Sequence, residues 1–79
     1  MRYILFVKKT CPFCIKAERL LKEKALDYKL VAFEHGQESV LQEIKEAHDW
    51  KTVPMIFHRE GNLISFIGGY TDLLGHFEE

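Results

Sequence analysis

The sequence predicts an α/β fold: a four-stranded mixed sheet with helices on both faces, in one domain covering residues 1–79. Three observations predict it. Strand-like and helix-like periodicities alternate in the order β, α, β, then α, then two β runs and a last helix. The opening β-α-β passage demands a parallel strand pair joined by a right-handed crossover. The last two strand runs are separated only by Glu60-Gly61-Asn62, a turn signal, and so form an antiparallel hairpin.

Each element has its own warrant. RYILFV, Arg2 to Val7, is β-branched and aromatic with little polar interruption, the pattern of a buried central strand. TCPFCIKAERLLKEKA follows. Pro12 suits a first helical turn, where its missing N–H costs nothing. Cys14, Ala17, Leu20 and Leu21 recur at helical spacing, and Glu18–Lys22 and Arg19–Glu23 are i,i+4 pairs for a solvated face. DYKLVAFE, Asp27 to Glu34, is the second strand, and Gly36 breaks it. SVLQEIKEAH carries Ser39 and Gln42 at capping-box spacing, with Val40, Leu41, Ile44 and Ala47 on one side; this helix begins near Gln37 to Ser39. PMIFH after Pro54 and LISFI are the hairpin strands. TDLLGHFEE is a short terminal helix weakened by Gly75.

Composition excludes several functions. The chain is 47% hydrophobic and 29% charged, which fits a globular protein and not a disordered one. A formal net charge of −1 offers no broad basic face for nucleic acid. The apolar runs are too short to cross a bilayer. The apolar part of MRYILFVKKT is too short for a signal peptide and no small-residue cleavage site follows, so the expected location is the cytoplasm. A structural disulfide is disfavoured in that reducing setting, and a bridge closing so small a loop adds little stability.

The two cysteines, Cys11 and Cys14, sit where the first strand gives way to the first helix. Open α/β sheets place their sites at such strand ends. If Cys11 caps the helix that Pro12 begins, its sulfur faces the free N–H groups of Phe13 and Cys14 and the positive end of the helix dipole, which favours the thiolate. Lys8 and Lys9 just upstream add to this. Cys14, one turn further in, is expected to be the more buried. Position therefore makes Cys11 the attacking cysteine and Cys14 the resolving one. A structural zinc site needs four ligands, and no two of His35, His48, His58 and His76 have finger-like spacing. Inert core thiols are the other plain reading of such a pair. KTVPMIF puts Pro54 at a strand start, where either an ordinary trans bond or a cis Val53–Pro54 bond fits.

CPFC after the first strand, TVP before the third and GGYTD after the fourth together resemble the glutaredoxins, and GGYTDL is similar to their bacterial dithiol members. The order and spacing of the three segments extend the resemblance over essentially the whole chain. It implies a thioredoxin-like fold, a cis Pro54, glutathione as co-substrate and no metal. It also implies a place in electron transport and cell redox homeostasis. Carried over residue by residue, it implies a glutathione site. Lys8 and Lys51 would meet the glycyl carboxylate and Val53 the cysteinyl backbone, with Thr52 and Pro54 beside it in the glutathione site. Gly68 and Gly69 would permit close approach, with Phe13 and Tyr70 as aromatic walls. Thr71 and Asp72 would take the γ-glutamyl carboxylate and ammonium. Dithiol glutaredoxins commonly have tyrosine where this chain has Phe13. The partners implied are disulfide-containing or glutathionylated proteins, ribonucleotide reductase among them, met by a monomer. The rival classes are a thioredoxin-like electron donor reduced by a flavoprotein, which the Thr71-Asp72 pocket opposes, an iron–sulfur module, which the stiff Pro12 loop opposes, and a purely structural domain. Trp50 receives no chemistry, only packing or a partner contact.

Overall fold

The computed structural model describes residues 2–8, 10–34 and 36–78; Lys9, His35 and the final residue of the TDLLGHFEE segment lie outside the described residues. The described residues form β1 (Arg2–Lys8), α1 (Pro12–Glu23), β2 (Tyr28–Phe33), α2 (Glu38–Ala47), β3 (Met55–Glu60), β4 (Leu63–Gly68) and α3 (Tyr70–Glu78). The sheet order is β2-β1-β3-β4. β1 runs parallel to β2 and antiparallel to β3, and β3 pairs antiparallel with β4. β1, with its unbroken apolar run from Ile4 to Val7, is thus flanked on both sides.

Alternation along β1 divides the core between the two faces. Tyr3, Leu5 and Val7 pack with Ala17 and Leu21 of α1 and Leu73 of α3. Ile4 and Phe6 face the other way, toward a cluster built on Leu41 of α2 with Met55 and Phe57. Helices α1 and α3 therefore cover one face and α2 the other. Leu41 is the buried residue of α2, Ile44 is half-buried, and Val40 and Ala47 are exposed, so this helix rests on a narrower stripe than its apolar spacing suggests.

The expected capping box at Ser39 and Gln42 does not form. Gln37 is the N-cap of α2 and makes no side-chain cap bond; its Oε1 instead accepts the Glu34 N–H at 2.9 Å. The helix starts early enough to place Ser39 inside its first turn, and Ser39 cannot cap a turn to which it already belongs.

Both α1 and α2 end on a left-handed residue that is not glycine, Ala25 at φ 55° and Asp49 at φ 51°. After α1, Leu26 N–H donates to Leu21 C=O and Ala25 N–H to Lys22 C=O. After α2, Trp50 N–H donates to Lys45 C=O at 2.8 Å and Asp49 N–H to Glu46 C=O. Each pair of bonds satisfies carbonyls that the helix leaves open and turns the chain sharply. The second turn is what delivers Trp50 and the TVP segment to the end of the sheet where β1 stops.

Candidate active site

Cys11 is the N-cap of α1, with extended backbone at φ −136° and ψ 103°, and Pro12 opens the helix as the spacing predicts. Its Sγ accepts the Cys14 N–H at 3.2 Å. One of the unpaired donors at the helix end is thereby aimed at sulfur, in the field of the helix N-terminus. Cys11 and Cys14 are joined sulfur to sulfur, with their Cα atoms 5.1 Å apart. Burial does not distinguish them, since they are 8% and 5% exposed. Their asymmetry comes instead from the capping bond, which serves Cys11 alone.

The Val53–Pro54 bond is cis. The Val53 carbonyl oxygen lies 3.7 Å from Cys11 Sγ, so the TVP segment stands directly against the dithiol. Beside it opens a cleft of about 310 Å³. Phe13, Thr52, Val53 and Pro54 form one part of its lining, and Gly69, Tyr70, Thr71 and Asp72 form another. Eight of the predicted site residues, drawn from three separate stretches of chain, are thus brought together. The Phe13 and Tyr70 rings face each other at 6.2 Å, with Phe13 53% exposed as a wall must be. Lys8 lines a neighbouring groove that also contains both cysteines. Lys51 is exposed beside Thr52 and lines neither depression.

The far end of the cleft is the start of α3. Gly69 C=O accepts the Leu73 N–H at 3.0 Å, which makes Gly69 the cap, and Asp72 Oδ2 accepts the Gly69 N–H at 2.8 Å. This is the acidic half of a capping box, with the carboxylate at N3 reaching back to the cap. Gly68, expected to make room for a ligand, makes room for Asp72: at φ +126° a β-carbon on it would stand 2.5 Å from Asp72 Oδ2.

Trp50 is the wall that sequence reasoning missed. It lines the cleft, packs edge-on against Phe66 at 5.2 Å, and lies where a β-carbon on Gly69 would meet its Cζ2 at 3.7 Å. Its adjacency to the Lys51-to-Pro54 segment is the only sign of this in the sequence. Among the described residues, no group of three or more His, Cys, Asp or Glu side chains is gathered as metal ligands. His76 Nε2 lies 3.1 Å from the Tyr3 hydroxyl, and His48 packs against Phe57 and Phe66; neither lines the dithiol cleft.

Comparison with known proteins agrees with this geometry. Residues 3–64 match the family model described as Glutaredoxin. The chain is 30% identical to a glutaredoxin of Pseudomonas aeruginosa over 70 residues, covering 89% of this chain and 77% of that protein. It is 32% identical over 73 residues to a hybrid peroxiredoxin of Haemophilus influenzae, covering 92% of this chain and 28% of that protein. Other curated glutaredoxins that it matches are covered over 54% to 61% of their length. In three dimensions it overlays glutaredoxin 1 of Francisella tularensis, solved with cacodylate, at a TM-score of 0.76 and 21% identity, covering 98% of this chain and 92% of that one. That overlay shows the thioredoxin-like fold, and the Cys11–Cys14 pair fits the CxxC active site. A CxxC at the start of α1, a cis proline against it and the matched family model over most of the chain lead to one assignment: this protein belongs to the glutaredoxin family.

Proposed function

We propose that the chain is a glutathione-dependent thiol–disulfide oxidoreductase, acting as a monomer in the cytoplasm on protein disulfides and on glutathionylated proteins. One observation carries this reading. The sulfur that caps α1 borders a cleft whose opposite end is the capped N-terminus of α3, so a ligand with a thiol at one end and a carboxylate at the other is accommodated by a single surface.

The chemistry follows from the positions. Cys11 thiolate attacks one sulfur of a substrate disulfide, forming a mixed disulfide and releasing the other sulfur as thiolate. Cys14 thiolate then attacks Cys11 Sγ, closing the Cys11–Cys14 bond and releasing the substrate as a thiolate. A glutathione thiolate attacks Cys11 Sγ and frees Cys14. A second glutathione takes the first from Cys11 as glutathione disulfide, and Cys11 leaves as thiolate. Two glutathiones are oxidised for each substrate disulfide reduced.

Glutathione fits the cleft by charge. The free N–H groups at the start of α3 suit the γ-glutamyl carboxylate, and the Asp72 carboxylate suits the ammonium. Val53 offers backbone groups to the cysteinyl residue, and Lys8 and Lys51 are the cations for the glycyl carboxylate. Because a stretch of a hybrid peroxiredoxin resembles this chain, peroxiredoxins join ribonucleotide reductase as candidate protein substrates.

Rapid-mixing reduction of the Cys11–Cys14 disulfide by glutathione alone tests the reading. Millimolar glutathione should reduce it without any flavoprotein. Reduction that requires a flavoprotein reductase would assign the chain to the thioredoxin-like donors instead.

A further inference from the structure

The dithiol is bordered by a second depression on the other side of β1. A groove of about 220 Å³ runs between α1 and β2; both cysteines line it together with Ile15, Leu30 and Ala32, and Lys8 and Glu18 line it too. The cysteines are buried and form its floor; Ile15 and Leu30 are 54% and 39% exposed and form its walls. The placement is a consequence of local structure. Ile15 lies one helical turn past Cys11, its N–H donating to Cys11 C=O at 3.1 Å. Leu30 and Ala32 are alternate residues of the edge strand β2, so they share the face on which α1 lies. The cleft proposed for glutathione is on the β3 side of the dithiol and ends in the polar groups of α3, whereas this groove sets aliphatic side chains, Ile15, Leu30 and Ala32, beside the charged Lys8 and Glu18.

We propose that this groove holds the polypeptide flanking the reacting cysteine of a protein disulfide substrate, seating an apolar side chain between Ile15 and Leu30. The proposal rests on the exchange chemistry above and specifies its protein substrates: disulfides with an aliphatic residue beside the cysteine. The covalent step is what identifies the occupant. Cys11 Sγ bonds to one substrate sulfur as the other departs as thiolate, so the flanking chain begins at the lip of the groove. Each extended residue advances about 3.3 Å, so the first or second neighbour of the joined cysteine lies over Ile15 and Leu30. The tripeptide glutathione has no such continuation; it lies along the other cleft and would meet this groove only through its glycyl carboxylate at Lys8. Apart from that contact, the two substrate classes part on opposite sides of one sulfur.

The test compares two peptide disulfides, identical except for leucine or serine at the residues flanking the cysteine, with a glutathionylated small thiol as control. The leucine peptide should be reduced with a kcat/KM about tenfold higher, since seating a leucine recovers part of its burial free energy. Ile15→Lys or Leu30→Lys should erase that preference and leave turnover of the small thiol unchanged. Absence of the preference, its survival in both variants, or a parallel loss on the small substrate would each overturn the proposal.

A second measurement does not depend on turnover. The Cys14→Ser protein is joined through Cys11 to the leucine peptide, supplied as its mixed disulfide with thionitrobenzoate, which leaves as the thiolate. Amide shifts should be largest at Ile15, Leu30 and Ala32; shifts confined to Thr52 through Asp72 would overturn the groove assignment while leaving the exchange reading intact. Failure of the exchange reading has its own signature: no adduct forms on Cys11 and no substrate is reduced, which removes the groove proposal with it.

Discussion

Gly68 lies so close to Asp72 that a β-carbon on it would stand 2.5 Å from Asp72 Oδ2, the same oxygen that accepts the Gly69 N–H at 2.8 Å. The absent side chain at 68 is what allows the carboxylate to cap α3. Gly68→Ala meets two obstacles, the contact and a φ of +126° that L side chains rarely adopt. It is expected to destabilise the fold by about 1–3 kcal/mol in urea unfolding. It should also raise the KM for glutathione, because the displaced carboxylate borders the cleft.

Asp72 has two separable duties, a cap and a charge. Asp72→Asn keeps an oxygen acceptor for Gly69 N–H and removes the charge, so stability should hold within a few tenths of a kcal/mol. Asp72→Ala loses both, at about 1 kcal/mol. If the charge meets the glutathione ammonium, both variants raise the glutathione KM alike, by roughly tenfold for a charged pair. Unfolding curves and glutathione saturation curves on the two proteins separate the duties. A normal KM in the asparagine variant would leave Asp72 a cap only.

The capping bond from Cys14 N–H to Cys11 Sγ makes the two sulfurs unequal. Cys11→Ser is expected to abolish turnover of every substrate. Cys14→Ser should retain removal of glutathione from a mixed disulfide, a route that needs only Cys11, and lose reduction of protein disulfides. Iodoacetamide should label Cys11 in the reduced protein well below the ~8.5 pKa of a free thiol. Equal loss of deglutathionylation in both variants would remove the distinction.

The Tyr28 hydroxyl donates to Glu18 Oε2 at 2.7 Å, and Lys22 lies 3.7 Å from the same oxygen. The bond to Glu18, followed by burial, raises the Tyr28 pKa above its usual value. The raised value means that folding favours the neutral phenol. That contribution is complete below the unfolded pKa of about 10 and is lost as pH climbs through the higher folded value. The stability difference between wild type and Tyr28→Phe should therefore be flat from pH 7 to about 9.5 and shrink above about 10. A constant difference through that range in paired urea titrations would contradict the assignment.

Ala25 occupies the left-handed position that ends α1, with both closing hydrogen bonds in place and Leu26 packed on the core beneath. Glycine is the residue this geometry favours, because a β-carbon there crowds the following carbonyl. Ala25→Gly is expected to stabilise the protein by about 0.5–1 kcal/mol, since relief of that crowding exceeds the added flexibility of the unfolded chain. A lowered melting temperature would mean that the alanine methyl contributes packing outweighing the strain.

Much of the fold was legible because its signals are local. Apolar periodicity marked all seven elements, and Glu60-Gly61-Asn62 marked the hairpin turn that Gly61 makes at φ +62°. Pro12 marked the start of α1 to the residue. α2 starts within the expected Gln37-to-Ser39 stretch, but the Ser39–Gln42 capping box does not form, because spacing alone does not decide which residue leaves helical backbone first. Gln37 does so here and spends its side chain on Glu34 instead.

The site divides along the same line. Cys11 and Cys14 are four residues of continuous chain, so their order along the helix set their inequality before any folding was known. The cleft is different in kind. Phe13, Val53 and Asp72 are far apart in sequence, and only sheet order β2-β1-β3-β4 brings β1's end, the cis proline and the start of α3 to one place. Trp50 joined that wall through a left-handed turn at Asp49, a conformation aspartate tolerates but does not by itself signal.

What the amino-acid order determined by itself was the set of elements, the family resemblance and which sulfur caps the first helix, all consequences of neighbours within a turn or a strand. What tertiary structure decided was which surfaces meet that sulfur. Gly68 makes room for Asp72, Trp50 is a wall, and two depressions flank one dithiol. The physical reason is that space between side chains belongs to packing, which exists only once distant segments have been brought into contact.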